Sequence, residues 1–203
     1  MTGLFVVFEG GDSAGKSTQT KLLSAHLESR GIDHIVTRQP GGTPVGAKLR
    51  TILLDPASGD VAPRAEALIY AADKSQHVHE VILPALDAGK VVISDRYVDS
   101  MLAYQGAGRA LDLAEVSEIA WWAVGGLRPD LTVLLDVDPA EAVESKATKD
   151  RLEAAGLEFH RRVREHLLDL ASGSDAHLVL NGRESREAIA VKVAAAVDER
   201  LSS

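Results

Sequence analysis

Residues 10–17 read Gly10-Gly11-Asp12-Ser13-Ala14-Gly15-Lys16-Ser17, with Thr18 next, and so satisfy the spacing G-x-x-x-x-G-K-[ST]. The apolar run Leu4–Phe8 precedes them, and a helical pattern over Lys16–Ser29, stopped by Gly31, follows. A strand, a glycine-rich turn and a helix in that order make a phosphate cradle. Glycines let the backbone turn its N–H groups inward, the lysine reaches β- and γ-phosphates, and the hydroxyl of the next residue faces Mg²⁺. The motif implies binding of a nucleoside triphosphate and leaves the recipient of the phosphoryl group open.

The rest of the chain supplies the frame such a loop needs. Four more short apolar runs, His34–Thr37, Val91–Ser94, Leu131–Val137 and His177–Leu180, are too short for helices and mostly lack alternation. Runs of that kind suit strands buried on both faces of a parallel sheet. Helical patterns over Ala62–Leu86, Leu113–Val124, Leu157–Ala171 and Glu184–Leu201 lie among them, and Pro84 is expected to kink or shorten the first. Strand and helix in alternation predict one doubly wound α/β domain spanning residues 1–203. The polar stretch 144–156 is expected to be a surface loop or a lid.

Composition narrows the function. A formal charge of −8 over 203 residues argues against binding nucleic acid through bulk electrostatics. The absence of cysteine excludes disulfides, thiolate metal sites and a catalytic thiol. No stretch reaches the roughly 18 apolar residues of a membrane helix, and the N-terminus lacks a basic segment of the kind that begins a signal peptide. A cytoplasmic location is the expectation. The seven histidines show no ligand spacing and are expected at the surface or at helix caps.

Two arginines stand at predicted strand ends, Arg38 in Thr37-Arg38-Gln39-Pro40-Gly41-Gly42-Thr43 and Arg96 in Ser94-Asp95-Arg96-Tyr97. Ligands of parallel α/β sheets bind at the carboxyl ends of strands, so Lys16, Arg38 and Arg96 are expected to converge. That abundance of cations has a chemical meaning. Phosphorylating an alcohol needs a base for the hydroxyl proton. A phosphate monoester, with a second pKa of about 6, is already mostly ionised at neutral pH. The obstacle is then repulsion between two anions, which cations relieve. The sequence offers cations more clearly than a base and points to a phosphorylated acceptor.

Taken together, the motifs resemble those of bacterial thymidylate kinases, of the P-loop nucleoside monophosphate kinase superfamily. The likeness covers nearly the whole chain. It rests on Phe8–Thr18, on Thr37–Gly46, on Asp95-Arg96-Tyr97-Val98-Asp99-Ser100 with Ala103-Tyr104-Gln105-Gly106, on Arg128-Pro129-Asp130-Leu131 and on Asp150-Arg151-Leu152-Glu153. It implies a P-loop NTPase fold, a five-stranded parallel sheet flanked by helices on both faces with a short lid at about 144–156. It also implies Mg²⁺-dependent transfer from ATP, as co-substrate, to dTMP. By the same resemblance, residues 10–18 and Asn181 would bind ATP, with Lys16 catalytic. Ser17 and, through water, Asp95 would hold Mg²⁺. Arg38, Arg50 and Arg96 would hold the acceptor phosphate, and Arg96 would follow the phosphoryl group in flight. Asp12 would reach the deoxyribose 3′-OH. Tyr70 would stack on thymine, while Lys74, Ser100 and Gln105 would bond its edge. Tyr104 would crowd a ribose 2′-OH. Arg151, in preference to Lys146 and Lys149, would supply a lid cation. A homodimer is implied, with one of Trp121 and Trp122 near its contact.

Three departures from the family pattern stand out. Gln39 replaces a usual Glu, and Lys74 a usual Arg. The third is that Ser13 and Ala14 in the phosphate loop are uncharged, so that the positive charge is expected from the short lid with Lys146, Lys149 and Arg151. Two other readings stay open at this level. One is a deoxynucleoside kinase, for which Glu9 is the conceivable base although its position suggests a structural role. The other is a non-catalytic nucleotide-binding regulator.

Overall fold

A computed structural model describes residues 3–142, 152 and 155–202. Five strands form one all-parallel sheet: β1 (Leu4–Gly10), β2 (His34–Arg38), β3 (Val91–Asp95), β4 (Leu131–Asp136) and β5 (His177–Asn181). Their order is β2-β3-β1-β4-β5. Each strand lies where an apolar run predicts it. Four strands run one or two residues past the predicted runs at their carboxyl ends, and β4 stops one residue short of its run.

The alternation absent from the runs has its reason in the layers. In β1, Phe5 and Val7 face one buried cluster and Val6 and Phe8 the other. The strand is apolar on both sides because both sides are covered. One cover is α1 (Lys16–Ser29) with α9 (Arg186–Leu201), through Leu23, Leu27, Ile189, Val193 and Val197. The other contains α3 (Pro63–His77), α6 (Leu113–Ala123) and α8 (Leu157–Ala171), contributing among others Ala67, Tyr70, Val116, Ala120, Phe159 and Val163.

The long helix predicted over 62–86 is realised in three parts. After α3 the chain widens into a π-helical turn, Val78–Ile82, and resumes as α4 (Leu83–Asp87). The widened turn sits immediately before Pro84. A proline in an α-helix lacks its N–H and clashes with the carbonyl four residues back, and the wider turn moves that carbonyl aside. The expected kink is thus a bulge.

Three further elements position the site. Helix α2 (Pro44–Leu54) starts at Thr43, whose hydroxyl accepts from Gly46 N at 2.9 Å, with Pro44 in the first turn. Helix α5 (Val98–Met101) runs into a π-helical segment, Leu102–Gly108, nearly all of it buried. A Cβ on Gly106 would come within 2.6 Å of Leu113 Cδ2, and one on Gly108 within 2.6 Å of Phe159 Cε2. Those glycines let the segment press against α6 and α8. Helix α7 (Pro139–Ala142) follows β4.

Candidate active site

The phosphate loop follows β1, and its backbone explains its glycines. Gly10 has φ 136°, and a Cβ there would lie 2.5 Å from Leu135 O. Gly15 caps α1 at φ 95°. Lys16 is buried within the loop it serves, its Nζ donating to Gly10 O at 3.0 Å and Gly11 O at 2.7 Å. Burial, with the nearby Arg96, lowers its pKa to about 8. Ser17 Oγ donates to Asp95 Oδ2 at 3.1 Å, across from α1 to the end of β3. Hydroxyl and carboxylate oxygens are the hard donors Mg²⁺ takes, one or two from protein and the rest from water and phosphate. The pair therefore fits that ion.

Arg96 is the hub between loop and cleft. It has φ 71°, a left-handed backbone that aims its side chain back over β1. Nη1 donates to Gly10 O at 3.1 Å and Ser100 Oγ at 3.0 Å, and Nη2 to Asp12 Oδ1 at 2.8 Å. The guanidinium lies over the Tyr104 ring, 4.9 Å from its centroid. Burial works against its charge, but Tyr104 and the carboxylates Asp12, Glu9 and Asp95 more than offset this and raise its pKa. Burial likewise pushes the Tyr104 hydroxyl well above its ordinary value.

Beyond Arg96 opens a cleft. Asp12, Arg50, Tyr70, Lys74, Arg96, Ser100, Tyr104 and Gln105 all line it, joined by Gln39, Pro40, Leu54, Met101 and Leu152. Eight sequence-predicted residues thus meet around one space. Arg38, paired in register with Asp95, stands at the same sheet edge but is exposed and not among the residues lining the cleft. Asn181, at the end of β5, is exposed, and its Oδ1 accepts from Arg183 N at 2.9 Å. The neighbouring Gly182 lies against the phosphate loop, since a Cβ there would be 3.2 Å from Ala14 O. Arg151, Lys146 and Lys149 lie outside the described residues.

Lys74 and Gln39, two of the three departures, touch each other. Lys74 Nζ donates to Gln39 Oε1 at 2.9 Å and to Tyr97 O at 2.7 Å. Lys74 is only 2 % exposed, and burial lowers its pKa to about 8. Gln39 Nε2 lies 2.9 Å from His77 Nδ1, and His77 Nε2 lies 2.6 Å from Thr37 Oγ1. His77 is wholly buried, which corrects the expectation of surface and capping histidines. Burial, reinforced by Lys74, lowers its pKa to about 4, so the ring is neutral. A neutral ring that accepts at Nδ1 donates at Nε2, and the chain runs in one direction from Lys74 to Thr37. Asp73, beside Lys74, accepts from Gly41 N at 2.9 Å, and burial raises its pKa.

Glu9 is spent on structure. It is 1 % exposed and accepts from Tyr97 N at 2.8 Å, Ser100 N at 3.1 Å and Ser100 Oγ at 2.5 Å. Burial, then Asp99, raises its pKa. Sequence reasoning missed Glu66 and Arg109. Glu66, wholly buried on α3, receives Arg109 Nε and Nη2, each at 3.1 Å, and Gln105 Nε2 at 3.0 Å. A charged residue inside a helical pattern looks like a solvated face, so only the distance between α3 and the segment after α5 reveals this pair.

A family model for thymidylate kinase matches residues 8–193. The chain belongs to the thymidylate kinase family. It is 60 % identical over 190 residues to the thymidylate kinase of Cutibacterium acnes, covering 93 % of each chain. It is 50 % identical over 198 residues to that of Clavibacter michiganensis subsp. michiganensis, covering 95 % of this chain and 93 % of the relative. With the thymidylate kinase of Deinococcus radiodurans it shares 48 % identity over 202 residues, 98 % of both chains. No helix among the described residues is long and apolar enough to cross a membrane. Membership in this family supports ATP-dependent phosphorylation of dTMP to dTDP.

Proposed function

We propose that this protein transfers the γ-phosphoryl group of ATP to dTMP, giving ADP and dTDP, with the phosphate loop as donor site and the cleft beside Arg96 as acceptor site. The observation that carries the reading is Arg96 itself. It touches the loop at Gly10 and faces the cleft with Asp12, Ser100 and Tyr104, so a cation stands where donor and acceptor phosphates must approach.

In the transfer, an oxygen of the dTMP phosphate attacks the γ-phosphorus as the bond from γ-phosphorus to the bridging oxygen of ADP breaks. The attacking oxygen is already ionised and no proton need be removed. Charge shifts toward the ADP oxygens and the phosphoryl in flight, where Lys16 and Arg96 stabilise it. Lys16, at about 8, keeps its proton at neutral pH. Ser17 and Asp95 would hold Mg²⁺, whose charge would help neutralise the donor phosphates. Arg50, whose Nη1 donates to Pro40 O at 2.9 Å, lines the cleft and would join Arg96 on the acceptor phosphate. Arg38 would reach it from the sheet edge, and Arg151 would add a cation from residues 144–156. Tyr70 would stack on thymine, Asp12 would bind the 3′-OH, and Tyr104 would exclude a 2′-OH. Glu9, filled by three donors, is no general base, which speaks against a 5′-hydroxyl acceptor.

A homodimer in the cytoplasm completes the proposal. Trp122, 82 % exposed, is its contact candidate, while Trp121 packs on the core with Arg128 stacked 4.1 Å from its ring. Initial rates with Mg·ATP against dTMP, dUMP, dCMP, dGMP, AMP and thymidine test the activity. Preference for dTMP is expected. Turnover of thymidine alone would overturn the acceptor assignment, and silence on all six would favour a non-catalytic binder.

A further inference from the structure

We propose that Glu66 is a positioning residue for base choice: by holding Gln105 Nε2, it commits Gln105 Oε1 to the cleft and selects a base with an N–H beside a carbonyl oxygen. The inference rests on the reading of that cleft as the acceptor site.

The two ends of a glutamine amide are interchangeable until a partner decides between them. Here the deciding partner, Glu66, is wholly buried. Glu66, paired bidentately with Arg109, is an acceptor and cannot donate, so the end of Gln105 that meets it at 3.0 Å is the nitrogen. The oxygen is left to the cleft, which Gln105 lines. Lys74, which also lines the cleft, is a pure donor. Two of its three protons go to Gln39 Oε1 and Tyr97 O, and the third remains for a ligand.

The cleft therefore offers one fixed donor and one fixed acceptor. Thymine and uracil present O4, which accepts, beside N3–H, which donates. Cytosine presents the reverse, an amino group beside a bare N3, and meets two mismatches. Ser100 has given its single proton to Glu9 and can only accept, which an N3–H and an amino group satisfy alike, so it does not discriminate. Strict choice thus requires that Gln105 be unable to turn over, and Glu66 is what prevents it. A site that binds a polar edge in this way rejects the wrong edge far more strongly than an apolar pocket rejects a methyl group.

The test is a comparison of kcat/KM for dTMP and dCMP at saturating Mg·ATP. The proteins are the wild type, Glu66→Gln, Glu66→Asp, Gln105→Leu and the Glu66→Gln/Gln105→Leu double variant. Glu66→Gln lets both amides turn. Glu66→Asp keeps a charge beside Arg109 but withdraws the oxygen from Gln105. Either is expected to lower the dTMP-to-dCMP ratio at least tenfold, carried by KM for dTMP more than by kcat. In the Gln105→Leu background, adding Glu66→Gln is expected to leave the ratio within twofold. A purely structural ion pair would lower both activities and the melting temperature together while sparing the ratio. A folded Glu66→Gln or Glu66→Asp protein with an unchanged ratio overturns the inference, as does a further tenfold fall in the double variant. Tyr70→Ala separates the two levels. If it leaves KM for dTMP unchanged, the cleft is not the acceptor site. If it raises KM while the Glu66 variants keep their ratio, only the role of Glu66 fails.

Discussion

Two buried ammonium groups give this protein an unusual dependence on alkaline pH. Lys16 and Lys74 are 7 % and 2 % exposed, and burial lowers each from 10.5 to about 8. Below pH 8 both are protonated whether the chain is folded or not, and the folded state bears the full cost of burying them. Between about 8 and 10.5 the folded protein releases these protons while the unfolded chain still holds them. The unfolded state then binds more protons, so stability rises with pH. Each lysine contributes a slope of at most about 1.4 kcal/mol per pH unit and a total of about 3 kcal/mol. The assay is urea denaturation of nucleotide-free protein at steps from pH 7.5 to 9.5, for wild type, Lys74→Met and Lys16→Met. The upper limit keeps clear of Tyr97 and Tyr104, whose phenols burial pushes up and whose ionisation works the other way. Each variant is expected to show about half the wild-type slope. Lys74→Met also leaves Gln39 Oε1 and Tyr97 O without their donor, an offset that is the same at every pH. Wild-type stability that is flat or falling over this window and parallel to Lys74→Met would refute the assignment.

Arg96→Ala is expected to lower kcat by roughly a thousandfold or more, the scale set by lost phosphoryl-clamping arginines. Steady-state rates check this, and an unchanged kcat contradicts the role. Asp95→Asn is expected to raise the Mg²⁺ concentration for half-maximal activity by about ten- to a hundredfold, the range for lost partners of metal sites. A magnesium titration that superimposes on wild type would remove Asp95 from the site. Gly42→Ala would set a Cβ 2.5 Å from His77 Nε2 and 2.8 Å from Arg38 O. It is expected to cost about 1–3 kcal/mol in folding stability, as overpacking does. A melting temperature equal to wild type would show that the ring has room to move.

What could be read from the sequence divides along physical lines. The five strands are legible because burial on both faces writes itself as short runs of β-branched and aromatic residues, as in Phe5-Val6-Val7-Phe8. The phosphate loop is legible because its glycines and lysine are local. The segment 98–108 is not, since a helix buried all round has no polar face, and its Gly106 and Gly108 look like breaks when they serve contact. His77 is invisible for a related reason. Its neutrality depends on Gln39 and Thr37, which come to it from β2 and the loop after it. Gln39 and Lys74 read as two separate departures from the family pattern. In space they form one hydrogen bond, and each accounts for the other.

The strand order sets the sequence of events when the chain first folds. β1 pairs with no strand near it in sequence: Leu4 finds its partner in Val91, and Val6 in Leu131. During synthesis the most apolar strand emerges first and waits for both neighbours, while β2, made next, also waits for β3. Pairings over such separations close slowly, because chain entropy must be lost before they form. A nascent chain ending at Gly89 carries the complete phosphate motif and no sheet to hold it open, so it has the letters of a nucleotide site without its shape. Binding of ATP is therefore a late event in the life of each molecule, and Leu4–Phe8 is the stretch that a chaperone would have most reason to shield until then.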